Sequence, residues 1–183
     1  MQVHAPSVVC SVTESLSMPR HVLRPQGDFR PASLPRRLAA ISYDTLLCLA
    51  IQLVTAFLYK LVQMAFIGEA RLRELSESGA LDGDPLLSSL LLLATFAFFA
   101  RFWTHAGQTL GMQVWGIRVQ NADGTAITLA QALLRFFSAI LSWLCVGLGF
   151  IWSLFDPQRR TWHDRLSGTR LVHIPGKQQN RHP

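Results

Sequence analysis

Three strongly apolar segments, at about residues 39–59, 86–103 and 136–155, limit the folds open to this chain more than any other feature of its sequence. A helix rises about 1.5 Å per residue, so the first segment spans about 31 Å and matches a hydrocarbon core about 30 Å thick. The other two also meet the length criterion for a membrane helix. Only 15% of the 183 residues are charged, too few to cover a soluble domain. We therefore predict an all-α membrane protein with two full transmembrane helices and a third membrane segment.

The formal net charge is +6, and the bases are concentrated beside the apolar segments. Basic residues outnumber acidic ones in residues 1–40, 101–135 and 156–183, whereas acidic residues dominate residues 60–85. Cytoplasmic loops of membrane proteins carry the excess of Lys and Arg. We expect a multi-pass protein of a bacterial cytoplasmic (inner) membrane, with its N-terminus in the cytoplasm and residues 67–85 outside. The pattern argues against a nucleic-acid partner, because a nucleic-acid surface interleaves bases with polar and aromatic residues.

The third segment conflicts with this topology. Three complete spans would place the basic tail outside, against the charge rule. Gly147-Leu148-Gly149 lies near the middle of the segment, and glycine is a residue at which a membrane helix readily breaks. Two alternatives stay open: a single span that contains two glycines, or a broken or re-entrant helix that returns the tail to the cytoplasm. We favour the second, because charge bias over short loops is the stronger signal.

The ends of the chain differ in composition from the middle. Residues 1–31 and 174–183 have no periodic apolar pattern, so we predict a disordered cytoplasmic leader and a disordered tail around a membrane domain of residues 32–173. Met18 is an alternative start of the chain, because the residues before it are unlike the rest.

A small cytoplasmic β-hairpin is predicted between the second and third segments. Residues 113–120 are rich in Val, Ile and Trp, residues 121–124 give a turn signal, and residues 125–128 are the expected returning strand. Thr128-x-x-Gln131 then fits a capping box, which begins the helix that leads into the third segment.

Asp44 lies inside the first apolar segment and is the most informative single residue. A carboxylate in a membrane helix is costly, so it usually faces protein or water and has a partner. Arg37 precedes it by two helical turns on the same face, about 10 Å away and too far for a direct bond. Two interpretations stay open: an internal anchor that fixes helix packing, which we favour, or a site for a proton or cation.

A second group of charges flanks the third segment. Arg135 precedes the segment, and His163-Asp164-Arg165 follows it. If the segment turns back, this group meets Arg36, Arg37 and Asp44 at the cytoplasmic interface and forms an Arg/Asp network, since arginine can pair with a carboxylate through two parallel bonds. Contact with lipid head groups is the simpler explanation for the arginines.

Patterns that would indicate catalysis or a bound cofactor are missing from the sequence. His163 has no second histidine at ligand spacing, so we expect no metal, no cofactor and no enzyme. The three cysteines are widely spaced and indicate no disulfide framework. Residues 107–111 lack the Lys-Ser/Thr ending of a phosphate loop. We interpret Gly107 and Gly111 as glycines of a tight turn after the second segment.

Together these features resemble the RDD family of membrane proteins, named for one Arg and two Asp. The resemblance covers roughly residues 32–173, and it is carried by Arg36-Arg37-Leu38-Ala39-Ala40-x-x-x-Asp44, Gly107-x-Thr109-x-Gly111, Gly116-Ile117-Arg118-Val119 with Gly124, Arg135, and Trp162-His163-Asp164-Arg165-Leu166-Ser167-Gly168-Thr169. It implies that Arg37 (or its neighbour Arg36), Asp44 and Asp164 are the naming residues. Met112 departs from the family, which often has Lys at that position. The resemblance implies a membrane location and a fold, but no particular activity.

Two hypotheses for function follow from these observations. The first is a homo-oligomeric membrane module whose partners are phospholipids and a second copy of the chain, with a structural or lipid-binding Arg/Asp network. The second is a transporter that couples a monovalent cation to protons through Asp44 and Asp164. Such a carrier would also need a dimer, because one chain is small for alternating access.

Overall fold

A computed structural model describes residues 21–79 and 83–174. The expectations for Met18 and for most of the two predicted disordered ends lie outside these residues.

The first two apolar segments form helices long and apolar enough to cross a membrane, as predicted. Helix α1 runs over Leu34–Ile67, and helix α3 runs over Pro85–His105. Each has a proline in its first turn, where the missing N–H would have no partner in the helix. The Asp84 carboxylate accepts hydrogen bonds from the first backbone N–H groups of α3. The connection between the two contains helix α2 over Glu69–Glu77.

The third apolar segment is broken near its glycines, as favoured from the sequence. Helix α5 covers Leu129–Leu144 and begins with the predicted Thr128–Gln131 capping box. Helix α6 covers Leu148–Ile151 and continues as a 3-10 turn over Trp152–Leu154. The two parts lie at 108° to each other. The chain turns at Val146 and Gly147, both with positive φ. The segment is therefore a broken span or a re-entrant loop.

The predicted β-hairpin is wrong in its second strand. Strand β1, Ile117–Gln120, follows a short helix α4, Leu110–Val114, and pairs antiparallel with strand β2, Arg170–His173, from the tail. Helix α7, Trp162–Leu166, lies just before β2. The expected returning strand at residues 125–128 does not form, because Thr125 and Ala126 pair with the backbone of residues 21 and 22 and not with β1. Thr125 makes only a single bridge, with Val22.

Residues 21–31 also differ from the expectation of a disordered leader, because they pack on this sheet. The backbone N–H of Ala126 donates to the carbonyl of His21 at 2.8 Å, and the N–H of His173 donates to the carbonyl of Arg30 at 2.9 Å. Leu23 is buried. Residues 21–33, 106–128 and 156–174 thus form one layer, which we name the end layer, at the first turn of α1 and the last turn of α3.

The hydrophobic core lies where the end layer meets the helices. Its buried members include Ala40 and Trp103 from the two long helices, Ile117 and Val119 from β1, and Phe136 from α5. The most apolar 18-residue stretch of α1 contributes no buried residue. Packing within the chain is therefore concentrated at one end of the long helices.

Candidate functional site

Asp164 is held between two arginines from the helices of two different apolar segments. Arg37, in the first turn of α1, donates to Asp164 Oδ2 at 2.6 Å, and Arg135, in α5, donates to Asp164 Oδ1 at 2.5 Å. The side chain of Asp164 is completely buried, and those of both arginines are 3% exposed. We name these three residues the charged triad. They join the tail to the two membrane segments with ion pairs shielded from water.

The remaining hydrogen bonds of the triad go to the end layer. Arg37 also donates to the carbonyls of Ala32 and Arg159, at 3.2 and 2.9 Å. Arg135 also donates to Thr169 Oγ1 at 2.8 Å. Burial alone would raise the pKa of Asp164, but the positive charges of Arg135 and Arg37 outweigh it and hold this pKa well below the usual range. Asp164 is therefore ionised, and the triad carries one excess positive charge.

Asp164 is placed by a local motif in the tail. Thr161 caps helix α7, and its hydroxyl accepts the backbone N–H of Asp164, while the Asp164 carboxylate accepts the N–H of Thr161 at 3.1 Å. This reciprocal capping box holds the carboxylate in the position where it meets the arginines. The motif is readable from the sequence as Thr161-x-x-Asp164.

Asp44 lies apart from the triad, contrary to a single Arg/Asp network. Thr109 donates its hydroxyl to Asp44 Oδ2 at 2.5 Å, and the backbone N–H of Gly111 donates to Asp44 Oδ1 at 3.0 Å. Asp44 is 3% exposed and Thr109 is completely buried. In the described part of the chain, neither Arg37 nor Arg135 forms an ion pair with Asp44. Its carboxylate is thus satisfied by neutral donors.

Gly107 and Gly111 each allow a close approach, Gly111 between helix α4 and the helix that carries Asp44, and Gly107 between its own turn and strand β1. A Cβ on Gly111 would lie 2.5 Å from the carbonyl oxygen of Ala40 and 2.8 Å from Asp44 Oδ1. Gly107 has φ +69°, and a Cβ there would lie 2.5 Å from the carbonyl oxygen of Val119. The sequence indicated a turn here but missed that Thr109 and Gly111 bind Asp44. The Gly-x-Thr-x-Gly pattern of residues 107–111 is the sequence signal that could have indicated this contact.

His163 is buried beside the triad and is uncharged. Its ring packs against Phe150 with 5.0 Å between the centroids, and the residue is 6% exposed. Burial, followed by the charge of Arg135, lowers the pKa of His163 to about 3. The neutral ring is a packing group at neutral pH, not a cation of the network.

The other two arginines proposed for the network lie outside the triad. Arg165 is exposed and pairs with Asp156 at 3.5 Å. Arg36 is exposed as well, and its charge acts on His173, whose pKa is lowered by burial and then by Arg36.

A cavity of about 120 Å³ is lined by Asp44 and by the two arginines of the charged triad. His163 is a further polar residue of its lining. Most of the wall is apolar, formed by Ala40, Ile41, Phe99, Trp103, Met112, Ile117, Ala139, Trp143, Phe150 and Leu171. Among residues 21–79 and 83–174, no group of three or more His, Cys, Asp or Glu side chains could hold a metal ion.

Two long apolar helices, a broken third segment and ion pairs buried at one end define a helical membrane protein. The chain belongs to the RDD family, whose sequence model matches residues 31–168. This result agrees with the resemblance carried by the Arg37, Asp44 and Asp164 motifs.

Three proteins similar to this chain are bacterial. The chain is similar to the uncharacterized protein YckC of Bacillus subtilis (strain 168), with 31% identity over 52% of this chain and 66% of the relative. It is also similar to the uncharacterized protein YxaI of the same strain, with 34% identity over 36% of this chain and 42% of the relative. The uncharacterized protein RP437 of Rickettsia prowazekii (strain Madrid E) is 27% identical over 48% of this chain and 51% of the relative. The chain thus spans about two fifths to two thirds of the lengths of these relatives, and no solved structure matches it significantly.

Proposed function

We propose that this protein is a non-enzymatic, self-associating module of the bacterial inner membrane, in which the charged triad is a structural lock between the end layer and the membrane helices. The observation that carries the proposal is the fully buried Asp164 carboxylate, bound by arginines from α1 and α5. Buried ions of this kind hold one arrangement of helices, because any other arrangement leaves a charge without a partner in a medium of low dielectric constant.

In the proposed topology α1 and α3 cross the membrane and the third segment re-enters it. The support is geometric. Strand β1 precedes that segment and β2 follows it, and the two strands are directly paired. Arg37 at the start of α1 also binds Asp164 in the tail. A tail on the opposite side of the membrane could make neither contact. The basic residues on this side support a cytoplasmic end layer.

Cysteine labelling from outside intact cells tests this topology. In a variant without Cys10, Cys48 and Cys145, single cysteines would replace the exposed residues Ser76, Ala122 and Gln158. We expect an impermeant thiol reagent to label Ser76→Cys in intact cells, and to label the other two only after the cells are opened. Labelling of Gln158→Cys in intact cells would mean that the third segment crosses the membrane.

Little of the long helices is covered within one chain, so their apolar surface must face either lipid or a second copy, and we propose that a second copy covers part of it. None of the most apolar 18-residue stretch of α1, and 11% of that of α3, is buried. Light scattering of the detergent-solubilised full chain, with detergent mass subtracted, would give the number of copies. We expect a dimer or a larger assembly, and a monomer at every protein concentration would refute this part of the proposal.

Proton-coupled cation transport is the second candidate function. The specific observation in its favour is that Asp44 and the two triad arginines line one cavity, since water in such a cavity could carry protons or ions. Everted vesicles with Asp44→Asn separate the candidates. Loss of cation-driven pH changes with normal protein level and oligomer size supports transport, whereas less folded protein in the membrane supports a structural anchor.

A further inference from the structure

Three side chains that line the cavity have unused hydrogen-bonding nitrogens. Arg135 Nε, Trp103 Nε1 and His163 Nδ1 are buried and have no hydrogen-bond partner among the described residues. The three residues are 2%, 6% and 6% exposed. Arginine and tryptophan nitrogens only donate, and neutral histidine can donate from Nδ1 in one tautomer. Because buried N–H groups in proteins nearly always have an acceptor, this wall of the cavity is suited to oxygen atoms from outside the described chain.

The charge on this wall is positive. Asp164 neutralises one of the two triad arginines, which leaves one positive charge in excess. Asp44 is the carboxylate in the cavity lining, and it is bound by Thr109 and Gly111 instead of an arginine. An anionic acceptor beside Arg135 would balance the excess charge and would also accept from the nearby nitrogens.

The rest of the cavity is suited to hydrocarbon. Phe99, Met112 and Phe150 contribute apolar wall, and Trp143, from the third apolar segment, lines the cavity while 58% exposed. A volume of about 120 Å³ is that of about four waters, enough for one small polar group. The cavity also lies at one end of the long helices, where the polar part of a lipid would be.

We propose that the cavity binds the anionic head-group oxygens of a phospholipid, with Arg135, Trp103 and His163 on the phosphate and the acyl chains leaving past Trp143. This inference rests on the proposed function, because it needs the triad to be a fixed frame and not a moving ion path. The bound lipid completes the hydrogen bonding that the protein leaves open. Basic cavities between membrane helices are known to recognise lipid head groups in this way.

Native mass spectrometry of the detergent-solubilised full chain tests the site. The probes are phosphatidylglycerol, zwitterionic phosphatidylcholine and inorganic phosphate, each titrated separately. We expect a saturable phosphatidylglycerol adduct, with phosphatidylcholine binding at least tenfold weaker. Equal binding of the two lipids would overturn the choice of an anionic head group. Displacement of phosphatidylglycerol by millimolar phosphate would assign the site to free phosphate and overturn the lipid proposal.

Two matched pairs of variants tie the adduct to this cavity. Trp103→Phe removes one donor and keeps an aromatic ring, so we expect phosphatidylglycerol to bind about tenfold more weakly, the effect of one hydrogen bond to a charged group. Trp115→Phe, outside the cavity lining, should leave binding unchanged. If Trp103→Phe does not fold, Trp143→Ala replaces it, with Trp152→Ala as control. Unchanged binding in the cavity variants refutes the lipid site. The proposed function is tested by other measurements, oligomer size and cysteine labelling, so the two proposals can fail separately.

Discussion

Replacing Asp164 by Asn should destabilise the protein severely, although the two side chains have nearly the same shape. The substitution removes the one negative charge of the triad and leaves Arg37 and Arg135 buried together. The asparagine oxygen can still accept the bonds made to one of the two carboxylate oxygens. Its NH2 group then faces either Arg135, or both Arg37 and the backbone N–H of Thr161, and all of these are donors.

The size of the effect follows from burial. Asp164 is completely buried and both arginine side chains are 3% exposed, so water cannot take over the lost interaction. Breaking a buried ion pair by removing one partner costs about 3–5 kcal/mol. Because a folded domain is stable by only about 5–15 kcal/mol, this loss should greatly reduce the folded population.

Asp156→Asn is the matched control, since it makes the same chemical change in the same layer. The Asp156 side chain is 3% exposed, but the arginines that pair with it are 3.5 and 3.7 Å away and 47% and 34% exposed, so water screens these pairs. Its two backbone donors both bond to Oδ2, and an asparagine oxygen can accept them as well. The assay is fluorescence-detected size-exclusion chromatography of detergent extracts after a temperature series. We expect Asp164→Asn to lose its monodisperse peak at a much lower temperature than Asp156→Asn. Equal thermal profiles for the two variants would refute the description of the triad as a structural lock.

Three further predictions concern the other buried groups. Gly111→Ala should lower stability by about 1–3 kcal/mol, read as a lower melting temperature in detergent, because its Cβ would press on the Ala40 carbonyl and the Asp44 carboxylate. Thr109→Val should cost about 1–3 kcal/mol by leaving an Asp44 oxygen without its donor, whereas Thr109→Ser should restore most of the melting temperature. The pKa of His163 falls from an ordinary value of about 6.5 to about 3 on folding, so the unfolded chain binds a proton first and stability is lost as the pH falls below about 6.5. Between pH 7 and pH 5 the loss is about 2 kcal/mol, and a His163→Phe variant that melted with the same pH dependence would contradict this assignment.

The sequence predicted the helices well because their signals are local. Apolar length indicated α1 and α3, Thr128 and Gln131 indicated the start of α5, and the glycines at 147 and 149 indicated the break. The strand pairing was wrong for the same reason. A turn signal at residues 121–124 favours a hairpin, but the true partner of β1 lies about fifty residues away and has no local signature.

The residues of the candidate site were found by type and grouped in one network, but the individual pairs were not predicted. Helical spacing shows that Arg37 and Asp44 share a face, and it cannot show which side chains approach that face from elsewhere. In the structure Arg37 meets Asp164, and Asp44 meets Thr109 and a backbone amide. A backbone donor such as the N–H of Gly111 cannot be recognised from the sequence, because every residue except proline has one. Only the small residue that permits the close approach can be seen in the sequence.

The two family carboxylates are stabilised by different means, and this decides which of them could take part in proton coupling. Protonation of Asp164 would leave two buried guanidiniums without a counter-charge. It would therefore break both ion pairs that hold the end layer on the helices. Protonation of Asp44 removes a charge that only a hydroxyl and one amide N–H stabilise, and a protonated carboxyl can still accept from the amide while donating to Thr109. If the protein moves protons, Asp44 is therefore the residue that carries them, and Asp164 has a structural role. Variants at the two positions should then separate, with Asp44→Asn affecting proton movement and Asp164→Asn affecting the amount of folded protein.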